Sequence, residues 1–386
     1  MIARNLIPLL LLIVLPDLYL YFRLLDRQRC HRWERALWLL PGIVMVVFTV
    51  ILAMGRDFVP ADMFWLNFYL AILGMLIVPK FVYVLCAVAG HAACRFFHSS
   101  RNWGELIGIA AALFCMSVFV YGYTEGFSDV RVRNVVIRSD RLPARFNGFR
   151  IAHISDAHVG SYTGRRMAIL QSVVDSVMSQ HADAIVFTGD LQNASPDEIP
   201  PVRHLLSALQ APCGVYSVLG NHDYGDYLNG DEEEKKECER QMIEAQRQMG
   251  WKLLINSHET IRRGADSIFI AGMDNDGEKT VPRRADIAKT MAGIPSGAFT
   301  LMLEHDPSSW ERTILPGSEA QLTLSGHTHG GQLNLFGIRA TLLSYKQDRG
   351  LYRIGDRYLY VSAGLGGVIP FRFGAEPEVT VYTLYN

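Results

Sequence analysis

The segment "SGHTHGGQ", residues 325–332, places His327 and His329 one residue apart, directly after the apolar run "AQLTL". Four other segments follow the same plan. "RIAHIS" leads to Asp156 and His158, and "AIVFTG" to Asp190. "VYSVLG" leads to Asn221, His222 and Asp223, and "FTLMLE" to His305. Any one of these residues is ordinary: Asp190 alone could cap a helix, and Asn221 alone could shape a turn. Five runs ending the same way are another matter. Imidazole and carboxylate donors in this number suit Zn, Mn or Fe, and one carboxylate can bridge two ions. His153 and His181 do not fit the plan and read as structural.

For these donors to meet, the apolar runs must be strands whose C-terminal ends share one edge. That edge is where sites assemble in α/β sheets. Glycines at 189, 220, 326, 330 and 331 let the backbone turn sharply there. From about residue 130, short β-rich runs alternate with stretches such as "RRMAILQSVVDSVMSQH", which argues an α/β domain. Residues 231–249 read as a helix stopped by Gly250, with a solvated charged face.

The first third has a different texture. Apolar spans over 6–25, 36–54, 64–90 and 104–123 are each near the roughly 20 residues that cross a bilayer. Aromatic clusters such as "MFWLNFY" suit interfacial anchoring. The first loop carries Arg23, Arg27, Arg29, Arg32 and Arg35, and the third Arg95 and Arg101 with Lys80 nearby. The N-terminus and second loop offer Arg4 and Arg56. Basic loops stay cytoplasmic, so everything after the fourth span is expected outside the cytoplasm, although Arg131, Arg133 and Arg138 pull the other way. Asp17 and Lys80 interrupt the spans. Lys80 is expected to snorkel to the interface and Asp17 to pair with a neighbouring helix.

The chain of 386 residues has room for two domains, and its net charge of -1 gives no electrostatic case for a nucleic-acid partner. Six cysteines are too few and scattered for a disulfide framework. Cys30, Cys86, Cys94 and Cys115 read as small buried thiols, while Cys213 and Cys238 either pair in an oxidising compartment or stay free.

The blocks "SDAHVG", "TGD", "GNHD", "LEHDP" and "SGHTHGGQ" resemble, in order and spacing, those of the calcineurin-like metallophosphoesterases. The last block is most similar to a membrane-associated bacterial branch related to UDP-2,3-diacylglucosamine pyrophosphatases. The first reads "DAH" where "DLH" is commoner, and Ala157 is not a ligand position. The resemblance covers 148–386 and implies two packed mixed β-sheets flanked by helices. It leaves 1–126 as the four-span region and 127–147 as a linker and first strand. It implies two divalent ions (Mn, Zn or Fe), one on Asp156, His158 and His329, the other on Asn221, His305 and His327, with Asp190 bridging. Gly330 and Gly331 leave room for phosphate. On that resemblance, metal-activated hydroxide would attack the phosphorus, His222 would protonate the leaving group, and Asp223 would hold His222's tautomer.

The expected function is a membrane-anchored phosphoesterase of the bacterial inner membrane, acting on a phosphodiester, pyrophosphate or lipid-linked phosphate. UDP-2,3-diacylglucosamine hydrolysis is the narrower alternative. A sensor or transport protein with a non-catalytic esterase-like domain is the alternative of another class. The spans' lack of paired charges along a path argues against it.

Overall fold

The computed structural model describes residues 2–25, 31–55, 63–277 and 282–386. Arg27, Arg29, Cys30 and Arg56, which entered the reading of the loops and thiols, lie outside them. The chain divides into two compact units, Met1–Thr124 and Glu125–Asn386.

The first unit is helical because its spans offer almost nothing but apolar side chains, and a backbone in lipid must satisfy its own hydrogen bonds. Its helices are α1 (Leu6–Leu20), α2 (Arg32–Ala53), α3 (Met63–Ile72), α4 (Val78–Phe96) and α5 (Trp103–Tyr123). A π-helical stretch, Leu73–Ile77, joins α3 to α4. Four helical stretches are long and apolar enough to cross a membrane: Ala3–Arg23, Trp33–Ala53, Met63–Phe96 and Trp103–Tyr123. The third, at 34 residues, outruns its expected span of 64–90. Ile43, Val47 and Ile51 of α2 and Ile107 and Leu113 of α5 are exposed, as lipid-facing side chains are. Helices α4 and α5 approach closely through small residues: a Cβ on Gly104 would overlap the Cys86 carbonyl and sit 2.7 Å from Gly90 Cα.

Asp17 pairs with a neighbouring helix as expected, but Lys80 departs from its expected course. Lys80 Nζ does not extend towards a helix end but meets Asp17 Oδ1 at 2.5 Å, with both side chains largely buried. Gly42 makes the space, since a Cβ there would overlap the Asp17 carboxylate. The spans therefore do contain a charge pair, though a single one among the described residues is not a path.

The second unit holds two six-stranded sheets. Its strands are β1 (Arg131–Arg138), β2 (Phe149–Ile154), β3 (Ala184–Thr188), β4 (Val215–Val218), β5 (Lys252–Leu253), β6 (Ser257–Arg263), β7 (Asp266–Gly272), β8 (Thr300–Leu303), β9 (Leu322–Ser325), β10 (Gly350–Ile354), β11 (Arg357–Val361) and β12 (Glu378–Tyr385). The sheet orders are β1-β12-β2-β3-β4-β5 and β10-β11-β9-β8-β7-β6. Strands β2 to β5 run parallel, and so do β7, β8, β9 and β11.

Strand alternation builds two cores from each central strand. Phe149 and Ile151 of β2, with Ala184 and Val186 of β3, face Ile270, Leu301, Leu322 and Leu324 of the other sheet. Ala152, Ile154, Ile185 and Phe187 point the opposite way, onto helices. Helix α6 (Met167–Met178) buries Leu170, Val173, Val174 and Val177, the spacing of one helical face. After the one-turn α7 (Arg203–Leu206), α8 (Glu232–Gln248) is capped by Asp231, whose carboxylate accepts the Glu233 and Glu234 N–H groups. Its charges are mostly solvated while Cys238, Met242 and Ala245 are buried, and Gly250 ends it at φ 82°. Cys213 and Cys238 are free thiols.

Candidate metal centre

Strands β2, β3 and β4 of one sheet and β8 and β9 of the other each release a loop bearing donor side chains, and those loops converge. Ligating atoms of Asp156, His158, Asp190 and His329 lie within 4.8 Å of one another, as do those of Asp190, His305 and His327. Asp190 belongs to both groups. Asn221 Oδ1 lies 3.1 Å from His305 Nε2, which places it with the second. The seven residues singled out as ligands are thus brought together. His153 is elsewhere, buried in β2 between Tyr382 Oη at 3.0 Å and Thr188 Oγ1 at 2.8 Å, where burial pushes its imidazole down to about 3.

The backbone is bent to achieve this. Asp156, His158, Asp190, His327 and His329 have φ of 50°, 46°, 59°, 71° and 53°, the left-handed region that L-residues seldom occupy. Such conformations cost on the order of 1–3 kcal/mol each and persist where the surroundings over-determine them. Here the surroundings are carboxylates holding backbone. Asp156 accepts the His327 N–H at 2.9 and 3.1 Å, and Asp190 Oδ1 accepts the His222 N–H at 2.8 Å. Gly189 and Gly220 touch, and a Cβ on either would overlap the other's loop.

The imidazoles are aimed by their second nitrogens, as metal ligands are. His305 Nδ1–H donates to the Thr188 carbonyl at 2.6 Å, which turns Nε2 to 3.2 Å from Asp190 Oδ2. His158 Nδ1–H donates to Asn193 Oδ1 at 3.1 Å, and Nε2 sits 3.5 Å from Asp190 Oδ2. His327 Nε2 bonds Tyr345 Oη at 2.7 Å. His158 Nε2, facing Asp190, is buried with no hydrogen-bond partner, and His329 turns Nε2 to 3.6 Å from Asp156 Oδ1. Buried polar atoms seldom go unsatisfied without reason. With carboxylate, imidazole and amide donors gathered around His158 Nε2, a borderline divalent ion fits.

Electrostatics follow from the same crowding. Burial raises Asp190, but the charges of His305 and His222 and hydrogen bonds from His158 and His305 outweigh it, leaving the carboxyl well below its ordinary range. Burial lowers His305, yet Asp190 and Asp156 push it up to about 10. His222 is pushed down to about 4, chiefly by burial.

One expectation is corrected by contacts. Asp223 was expected to hold the His222 ring. Its carboxylate instead accepts the N–H groups of Asp190, Leu191 and Gly220 at 3.0, 2.9 and 2.9 Å, fixing the loops that carry the ligands. The His222 ring donates from Nδ1 to the Asn193 carbonyl at 2.6 Å. Gly330 and Gly331, expected to leave room for phosphate, are also required by the packing around them. The space at Gly330 is bounded by Arg349 Cδ at 3.0 Å, and that at Gly331 by Arg339 Cβ at 2.9 Å. Their φ of 56° and 79° and this packing are what require glycine.

Sequence reading passed over four residues. Asn193 serves both His158 and His222, although it stands in the same block as Asp190. Tyr345 bonds His327, and Tyr227 stacks on His222 with ring centroids 4.2 Å apart. Arg372, fully buried, donates to the carbonyls of His329 and Ala363 at 3.1 and 2.6 Å, tying the last ligand to the segment after β11.

Residues 3–127 match the model described as "Probable Calcineurin-like phosphoesterase, transmembrane domain", and residues 149–331 the "Calcineurin-like phosphoesterase" model. An uncharacterized metallophosphoesterase of Bacillus subtilis, YkuE, is 32% identical over 68% of this chain and 89% of its own length. A zebrafish (Danio rerio) transmembrane protein with metallophosphoesterase domain is 30% identical over 70% of this chain and 61% of its own length. The UDP-2,3-diacylglucosamine pyrophosphatase LpxG of Chlamydia trachomatis is 29% identical over 62% of this chain and 85% of its own.

Proposed function

This chain belongs to the calcineurin-like phosphoesterases, a family of metal-dependent hydrolases, and we propose that it is a dinuclear enzyme acting on a phosphodiester, pyrophosphate or lipid-linked phosphate at a membrane. The observation that carries this is Asp190, shared by two groups of ligating atoms. Asp156, His158 and His329 would hold one ion and Asn221, His305 and His327 the other, with the Asp190 carboxylate available to both. Bound divalent ions supply Lewis-acid stabilisation of phosphoryl charge and a nucleophilic water near neutral pH.

The chain's own residues do the rest. Asp223 and Asp156 hold the ligand loops in their strained turns, so the donors are placed before any substrate arrives. Asn193 keeps the His158 and His222 rings in one tautomer each. With Nδ1–H committed to Asn193, His222 has only Nε2 from which to pass a proton to a leaving oxygen. Burial keeps that nitrogen neutral at pH 7, so the acid role requires the negative charge of bound substrate to raise it.

The arginines of the first and third loops support a catalytic unit on the outer side of a bacterial inner membrane. That favours an extracytoplasmic lipid-linked or diester substrate. The second reading, UDP-2,3-diacylglucosamine hydrolysis, is favoured by the Chlamydia relative and needs the opposite topology. Purified full-length protein with Mn²⁺ tests the class: turnover of bis-p-nitrophenyl phosphate is expected, and none above the buffer blank assigns a non-catalytic module. A C-terminal alkaline-phosphatase fusion tests the side. Activity places the unit outside, and inactivity makes the nucleotide-linked lipid the favoured substrate.

A further inference from the structure

The loop that follows the last ligand carries a feature the site does not use. Phe336, Ile338, Leu342 and Leu343 are 92, 76, 50 and 91% exposed, four large apolar side chains within eight residues. Water-facing surfaces of soluble units seldom gather such a cluster without a partner.

The loop is built, not frayed. Backbone bonds between Leu335 and Ile338, at 3.0 and 2.9 Å, close a tight turn, and Asn334 Oδ1 accepts the Gly337 N–H at 2.9 Å. Phe336, at the tip, holds a φ of 53°, a conformation that must be supported from outside the residue. The base is gripped by Asp348, which is buried. Its carboxylate takes Arg339 at 2.6 and 2.9 Å and Thr341 Oγ1 at 2.8 Å. The Asp348 carbonyl accepts Thr328 Oγ1 at 2.6 Å, and Thr328 lies between His327 and His329. Tyr345, two residues past Leu343, bonds His327. The loop's apolar tip and the metal ligands are thus parts of one framework.

We propose that Phe336, Ile338, Leu342 and Leu343 dip into the bilayer surface, so that the site takes a phosphoester carried by a membrane lipid. The proposal rests on the phosphoesterase reading above and names its substrate class. Two facts favour a bilayer over a protein. The unit follows a membrane helix directly in the chain, since α5 ends at Tyr123 and the unit begins at Glu125, so a bilayer is always within reach. Residues 333–347 contain no Asp or Glu, so no carboxylate of the segment opposes an anionic surface, while its two cations are already paired, Arg339 with Asp348 and Lys346 with Glu311.

The test uses the full-length protein in vesicles of phosphatidylethanolamine and phosphatidylglycerol. Photoreactive benzoylphenylalanine replaces Phe336, Leu343 or, as control, Arg240 on the solvated face of α8. Lipid adducts are expected at 336 and 343 and not at 240. Adducts only to protein at 336 and 343, no adducts there, or equal lipid labelling at 240 overturns the proposal. In parallel, Phe336→Ser and Leu343→Ser should leave bis-p-nitrophenyl phosphate turnover within about twofold. Hydrolysis of p-nitrophenyl hexadecyl phosphodiester in the vesicles should fall about tenfold or more, as expected for losing a buried apolar side chain. Equal loss on both esters, or no loss on either, also overturns it. If the wild type cleaves neither ester, the phosphoesterase reading fails, and the adducts still decide where the loop lies.

Discussion

In the membrane unit, the buried carboxylate of Asp17 meets Lys80 at 2.5 Å, and Thr49 Oγ1 meets Tyr69 Oη at 2.8 Å. In the catalytic unit, His158 Nε2 is as deeply buried and has no hydrogen-bond partner, and five of the candidate metal donors sit in left-handed backbone. Both units bury polar groups, which is expensive unless the group is satisfied. The first closes these two pairs on each other and so gains only a fastening, with Asn67 Oδ1 of α3 left buried without a hydrogen-bond partner. The second leaves donors open and spends stability to keep them so, and only a ligand supplied from outside completes the arrangement.

If that contrast is right, the two units should break independently. The largest expected effect is on chemistry. His222→Ala should retain metal yet slow esters with poor leaving groups by about 10²–10⁴-fold, with much less effect on p-nitrophenyl esters. An equal loss on both series would reassign His222 to holding phosphate. Next comes the fastening. Lys80→Met strands the Asp17 carboxylate, and removing one partner of a buried pair costs about 3–5 kcal/mol. The melting temperature of the membrane unit should fall while metal content stays normal, and unchanged melting would show the pair to be idle. Asn193→Ala should do the converse, weakening metal affinity about 10–100-fold, as loss of a partner that aims a ligand does, with the helices unaffected. Titration of the metal-free protein would expose a null result.

The smallest effect is a pH dependence. In metal-free protein His305 titrates at about 10 against an ordinary 6.5, because Asp190 and Asp156 outweigh its burial. Its contribution to stability is therefore fully present below 6.5 and is lost as pH rises through about 10. Metal must displace that proton, so affinity should rise by up to about tenfold per pH unit from 7 to 9 and flatten above about 10. Calorimetry in buffers of different ionisation enthalpy should count at least one proton released per chain. No release would remove His305 from the ligand set.

The seven donors were legible because each follows an apolar strand, and strand ends are local features that a sequence displays. So were the layers: Phe149 and Ile151 against Ala152 and Ile154 is an alternation written in six residues. What escaped was set by contacts across the chain. The partner of His305 Nδ1 is a backbone carbonyl 117 residues away, and a carbonyl has no sequence signature. Asp223 stands beside His222, which made a side-chain partnership plausible, but its carboxylate turns to the N–H groups of its own turn and of the Asp190 loop. Asp17 and Lys80 were visible as charges, yet helices that are apolar all round do not reveal their rotation, so their pairing was not.

The shared carboxylate is the centre of the account. Asp190→Asn removes one oxygen charge that serves both groups of donors, and elemental analysis of the purified full-length variant measures the consequence directly. The account predicts two metal ions per chain in the wild type, loss of both in the variant, and activity lowered by more than about 10²-fold, beyond what losing a supporting contact costs. A variant that keeps two metals and turns over bis-p-nitrophenyl phosphate at a near-normal rate would contradict it.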